Sequence, residues 1–132
     1  MPRRVLPLLL LAAGLLACGS SDRLIGPSNQ LQVTNAADDF QLQVTALDRI
    51  QQTLSYTWTN TGDSASVNQA SAITGGSATL TIRDPNGLVV YQSGLDVNGT
   101  AHTAKGVAGA WRITVRLQAV SGAINFRVQK AP

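Results

Sequence analysis

Three arginines late in the chain, Arg112, Arg116 and Arg127, have the residue type and spacing best suited to chemistry. A guanidinium is a planar fork of donors that grips phosphate or carboxylate through two parallel hydrogen bonds. Arg112 and Arg116 fall between apolar residues in Trp111-Arg-Ile-Thr-Val-Arg-Leu117, and Arg127 does so in Phe126-Arg-Val128. That alternation puts all three on the wet side of strands. If Ser121-Gly122 closes a two-residue hairpin, Arg116 and Arg127 come within cross-strand reach. The stripe then suits an anionic lipid headgroup, a glycan or an acidic patch on an envelope protein. The competing reading is a solvated face that discourages edge-to-edge association.

Other reactive constellations are missing from the sequence. Nucleophilic hydrolysis pairs a nucleophile with a base, most often histidine, and the single histidine, His102, lies in the polar stretch Asn98-Gly-Thr-Ala-His-Thr-Ala-Lys105. It reads as a surface loop residue. Glycoside hydrolysis needs two converging carboxylates, whereas Asp84 in Asp-Pro-Asn-Gly87 reads as a turn residue capping its own hairpin. Asp38-Asp39 precedes a strand and suits a turn cap or a cation. No Asp-x-Asp-x-Asp series marks a calcium loop, and one histidine with one cysteine is no zinc set. The expectation is a protein that is not an enzyme and carries no cofactor or metal.

The one cysteine, Cys18, closes an apolar run that begins after Arg3-Arg4. A basic start, an apolar stretch too short to span a bilayer and a small residue, Ala17, before a cut site together read as a secretory signal peptide. Leu15-Leu16-Ala17-Cys18 resembles the lipobox of bacterial lipoproteins. That resemblance implies cleavage before Cys18 and acylation of the cysteine as a new N-terminus. It also implies a lipid-anchored protein of the cell envelope. Gly19, where an aspartate would favour inner-membrane retention, leans toward the outer membrane, on its periplasmic or surface face.

Removing residues 1–17 changes the charge reading. The chain has ten Lys and Arg against seven acids, a formal +3. Without Arg3 and Arg4, eight basic residues face seven aspartates, a net of +1. A nucleic-acid binder would show clustered basic residues and a strongly basic domain, so no nucleic-acid partner is expected. There is no glutamate and little lysine, two residues that favour helix surfaces. Residues 18–30, rich in Ser, Gly and Asn, read as a lipidated cysteine and flexible tether. About 100 residues from 31 to 132 remain for one domain, enough for a core without a disulfide.

That core is written in period two. Apolar residues alternate in Phe40 to Ala46, Leu54 to Trp58, Ala78 to Ile82, Trp111 to Ala119 and Ile124 to Val128. Strands with one dry and one wet face follow. Val67 to Ile73, Leu88 to Tyr91 and an edge strand over Leu31 to Thr34 add to the set. Asp84-Pro-Asn-Gly87, Ser121-Gly122, Asn60-Thr-Gly62-Asp63 and Gly75-Gly76 mark reversals. The result is an all-β domain, a single antiparallel β-sandwich of about seven or eight strands, immunoglobulin-like or jelly-roll-like. Trp58 and Trp111 sit at dry positions, and Trp111 is expected to share the last hairpin's dry face with Phe126.

Leu80-Thr-Ile-Arg-Asp84-Pro-Asn-Gly87-Leu-Val-Val-Tyr91, then Gly106-Val-Ala-Gly109-Ala-Trp111-Arg-Ile-Thr-Val115, then Ser121-Gly122-Ala-Ile-Asn-Phe126-Arg-Val128 form an ordered series. The series resembles the second half of bacterial β-sandwich modules of the pre-peptidase C-terminal type, over roughly 50 residues. Those modules are accessory domains without catalysis, so the resemblance implies a binding or interaction role. The function expected is a lipid-anchored envelope lipoprotein with a non-catalytic binding module. The alternative is a structural or assembly accessory subunit of an envelope complex.

Overall fold

In the computed structural model, which describes residues 23–132, seven antiparallel strands carry nearly all of the regular structure. They are β1 (Gln32–Ala36), β2 (Asp39–Asn60), β3 (Ala65–Gln69), β4 (Ala72–Arg83), β5 (Val89–Gly94), β6 (Gly99–His102) and β7 (Gly109–Lys130). One short 3-10 turn, Pro27–Asn29, precedes them. The strand order is β1-β2-β7-β3-β6, with β4 paired to β7 and β5 to β4. Cys18 and the signal peptide expected over residues 1–17 lie outside the described residues.

Two strands of 22 residues, β2 and β7, set the architecture. They pair along their length, Asp39–Val44 with Gln129–Ile124 and Gln52–Asn60 with Leu117–Gly109, with register shifts in between. Each shift inserts an unpaired residue, which kinks the strand and increases its twist. At the kinks Ala46, Arg49 and Ala119 take positive φ, as do Gly76 in β4 and Gly122 in β7. The long strands therefore fold over at mid-length and pass from one layer to another. One layer holds β1, the first half of β2, the second half of β7, β3 and β6. The other holds the second half of β2, the first half of β7, β4 and β5. The all-β, sandwich-like fold is thus one unclosed antiparallel sheet folded on itself.

The expected Ser121-Gly122 hairpin does not form, because β7 runs through it without reversal. Its buried positions explain how. Trp111, Ile113, Val115 and Leu117 are odd-numbered, whereas Val120, Ile124, Phe126 and Val128 are even-numbered. A bulge between them changes the parity and keeps the same face on the core. Phe40–Ala46 and Leu54–Trp58 merge into β2 in the same way, and Gly75-Gly76 is a kink inside β4 rather than a reversal. Glycine is required there: a Cβ built on Gly76 would overlap the Ala119 carbonyl, and one on Gly122 the Ala72 carbonyl.

The two layers close on a single apolar cluster. Trp58 and Trp111 are cross-strand partners with rings edge to face. Phe40 stacks on Phe126 at 5.9 Å and meets Tyr56 of the opposite layer at 5.3 Å. Trp111 therefore pairs with Trp58 rather than with Phe126, again because no hairpin joins the two halves of β7. The Trp58 indole N–H donates to the Ala36 carbonyl at 2.9 Å, which satisfies its polar atom across the layers.

Folded contacts begin before the composition-based boundary at residue 31. The Gln51 amide donates to the Arg23 carbonyl, and the Ile25 amide to Gln52 Oε1. Asn29 is buried, and its side-chain amide donates to the Thr45 and Ala46 carbonyls at 3.0 and 2.8 Å. Those carbonyls belong to the bulge of β2, where the ladder is broken and acceptors would otherwise be orphaned. Arg23 to Gln30 is therefore a strap over the kink.

Candidate functional site

The outer face of the second layer is a grid of rows running across β2, β7, β4 and β5. Register places Thr57, Arg112, Arg83 and Val89 in one row. Ser55, Thr114, Thr81 and Gln92 form the next, and Thr53, Arg116 and Thr79 the one after. Alternation forces these residues outward, since Trp111, Ile113, Val115 and Leu117 between them are buried. No carboxylate stands in these rows. The arginines are exposed, and among the described residues none of the three is within 4.0 Å of an acid.

Arg83 and Arg112 are direct cross-strand partners. Directly opposed side chains start about 5 Å apart at Cβ, and like charges there repel. Each guanidinium has one neutral partner: Arg83 Nη1 donates to the Gly87 carbonyl at 3.2 Å, and Arg112 Nη1 reaches Ser55 Oγ at 3.5 Å. Neither guanidinium makes another hydrogen bond to the described residues. A cleft of about 170 Å³ lies between them, lined by Thr57, Arg83, Asp84, Pro85, Gly87, Ala110, Trp111 and Arg112.

Asp84 lines this cleft, and its carboxylate is engaged by backbone amides rather than by the arginines. The carboxylate is buried, Oδ1 accepts the Asn86 and Leu88 amides, and Oδ2 accepts the Val107 amide. Asp84 holds its Asp-Pro-Asn-Gly turn against the loop before β7, the turn-cap role expected of it. That fixes the floor of the cleft and the approach of Arg83. A second cleft of about 280 Å³, lined by Ile73 to Ser77 and Asp96, sits beside the kink of β4 and carries no basic group.

The third arginine of the expected stripe is elsewhere. Arg127 pairs with Gln41 and Asn68 in the other layer, because β7 has crossed over at its kink. Its guanidinium binds both oxygens of Asp39 at 3.0 and 3.2 Å, and this hydrogen-bonded carboxylate raises its pKa. Arg116 and Arg127 do not come together. Arg83, which sequence reasoning passed over, takes the vacant place. Its signal was present: it continues the wet parity of Thr79 and Thr81 before the Asp84 turn. Its pairing with Arg112 depends on a register that only the folded sheet sets.

The other candidate residues have structural surroundings. Asp38 accepts the Thr61 amide at 2.7 Å and the Thr61 hydroxyl at 2.8 Å, and those bonds with the Lys130 charge hold its carboxyl below the usual range. Asp48 is held low by its hydrogen bond to Arg49 and by Arg23. Burial pushes the Tyr56 phenol up. His102 is the exposed last residue of β6, opposite Ser66, on an edge strand rather than in a loop. Among the described residues no three His, Cys, Asp or Glu side chains gather to hold a metal ion.

No family model matches the chain, and a search of curated proteins finds no match.

Proposed function

We propose that the protein is a lipid-anchored lipoprotein of the bacterial cell envelope whose sandwich-like domain binds an anionic partner without catalysis. The observation that carries this reading is the acid-free face with Arg83 and Arg112 directly opposed. Elsewhere the protein pairs its exposed arginines: Arg23 and Arg49 meet Asp48, and Arg127 meets Asp39. On this face two like charges stand side by side and neither has an ion-pair partner among the described residues, an arrangement that a bound anion relieves. The lipobox-like run ending at Cys18 supports the anchor. Two acyl chains give stable attachment where one gives only marginal binding.

Mass spectrometry of the mature N-terminus and a Cys18→Ser variant test the anchor. Acylated Cys18 in the wild type and unprocessed precursor in the variant are expected, and membrane retention of a cleaved Cys18→Ser product overturns it. For the face, wild-type protein should bind anionic envelope fractions in a salt-sensitive way. The Arg83→Gln, Arg112→Gln, Arg116→Gln triple variant should lose that binding while staying folded, with a melting temperature equal to or above that of the wild type. Equal binding by both proteins removes the face from the reading.

A second reading, an accessory subunit of an envelope assembly, has one observation in its favour. Leu88, Val89 and Val107 are exposed around the Asp84 carboxylate that binds the Leu88 and Val107 amides. Clustered exposed apolar groups mark protein contacts. A Leu88→Ser, Val107→Ser variant that loses co-purifying protein while keeping anion binding would favour this reading.

A further inference from the structure

We propose that the cleft between Arg83 and Arg112 is a site for a single phosphate group, with the Thr57 hydroxyl as a further donor. The inference rests on the anionic-partner reading and narrows it to a chemical class. Arg83 and Arg112 face each other across β4 and β7, and Thr57 flanks Arg112 on β2. Two forks approaching from neighbouring strands offer more donors than the two oxygens of a carboxylate can accept in good geometry. A tetrahedral phosphate has three or four oxygens and can take one pair from each fork. Charge agrees in sign: two guanidinium groups outnumber the single Asp84 carboxylate in the lining, and a phosphate monoester carries close to two negative charges at neutral pH.

The surroundings are built for this. Gly87 and the Gly87 carbonyl, bonded to Arg83, bring the hairpin against one guanidinium and limit its freedom. Asp84, whose oxygens are taken by three backbone amides, holds that hairpin without competing for the arginines. The cleft of about 170 Å³ has room for a phosphate and part of the group that carries it, and a larger ligand extends over the Thr- and Arg-bearing rows toward Arg116.

The test uses the full-length protein in uncharged detergent micelles and follows arginine side-chain N–H resonances. Inorganic phosphate and glycerol 3-phosphate are the soluble probes, phosphatidic acid mixed into the micelles the headgroup probe, and acetate and polygalacturonate the carboxylate comparators. Saturable shifts of Arg83 and Arg112 with phosphate, little change at Arg127, and at least tenfold weaker binding after Arg83→Gln or Arg112→Gln are expected. Thr57→Val should weaken binding severalfold. A response to phosphatidic acid alone assigns the site to lipid headgroups, and a response to the soluble probes assigns it to the phosphate group itself. If polygalacturonate binds the face and no phosphate probe shifts Arg83 and Arg112, the phosphate site is overturned while the anionic face stands. If no anion binds, both fall.

Discussion

Trp58 and Trp111 are direct cross-strand partners on the two longest strands, with ring centroids 6.1 Å apart and planes at 89°. Both are fully buried, and both indole N–H groups are satisfied, by the Ala36 and Val107 carbonyls. The pair joins β2 to β7 where the layers meet β1 and the loop before β7. Replacing Trp111 by Ala should cost about 3 to 5 kcal/mol, and Trp58→Ala a similar amount. Denaturant titration of both variants and the double variant should show coupling of about 0.5 to 1.5 kcal/mol from the edge-to-face contact. An unchanged transition midpoint in Trp111→Ala would contradict the core assignment.

The kinks should tolerate little change. Gly122→Ala forces a Cβ onto the Ala72 carbonyl at φ +120°, and should destabilise by about 3 kcal/mol or more. Ser121→Ala loses only the acceptor of the Arg49 amide, a loss of about 1 kcal/mol. Thermal melts of the two variants should therefore separate widely, although the substitutions are neighbours. Similar melting temperatures would mean that the crossing of β7 is not pinned by its glycine.

The strap should contribute to stability. Asn29→Ala leaves two bulge carbonyls without their donors and should cost about 1 to 3 kcal/mol. Hydrogen exchange at the Gln51 amide, which bonds to the Arg23 carbonyl, should accelerate in the same variant. A protein beginning at residue 31 should melt below one beginning at residue 23. Equal melting temperatures would return residues 23–30 to the role of a simple tether.

Acid should weaken the turn around Asp38. Hydrogen bonds from the Thr61 amide and hydroxyl, with the Lys130 charge, hold its folded pKa below the unfolded one. The corresponding stability is present above about pH 4 and is lost as pH falls through the lowered folded value. Asp48, held low by Arg49 and Arg23, contributes in the same direction and window. An Asp38→Asn variant should show a flatter loss of stability between about pH 4 and pH 2 than the wild type. An identical slope would show that the Thr61 contacts do not discriminate the charged form.

Local patterning by itself determined the strand content. Alternation of apolar and polar residues depends only on neighbours along the chain, and it marks most of the buried side chains of the long strands; it fails at the bulges, where Leu47 and Val120 are buried and Ala46 and Ala119 are exposed. The Asp84-Pro-Asn-Gly87 turn was equally legible, because its closure uses its own side chain and backbone. The wet positions of Arg112 and Arg116 followed from the same period. Tertiary structure decided what joins what. Ser121-Gly122 has the chemistry of a tight turn, and Gly122 does take positive φ, yet the pairing of β7 with β2 and β4 on both sides makes a bulge there instead. That choice separates Arg116 from Arg127 and leaves Arg112 opposite Arg83, 29 positions away in sequence. Register across strands is set by the fit of the whole core, in which Trp58 must meet Trp111 and Phe40 must meet Phe126. No stretch of sequence carries that information alone, which is why the opposition of Arg83 and Arg112 became visible only in the folded sheet.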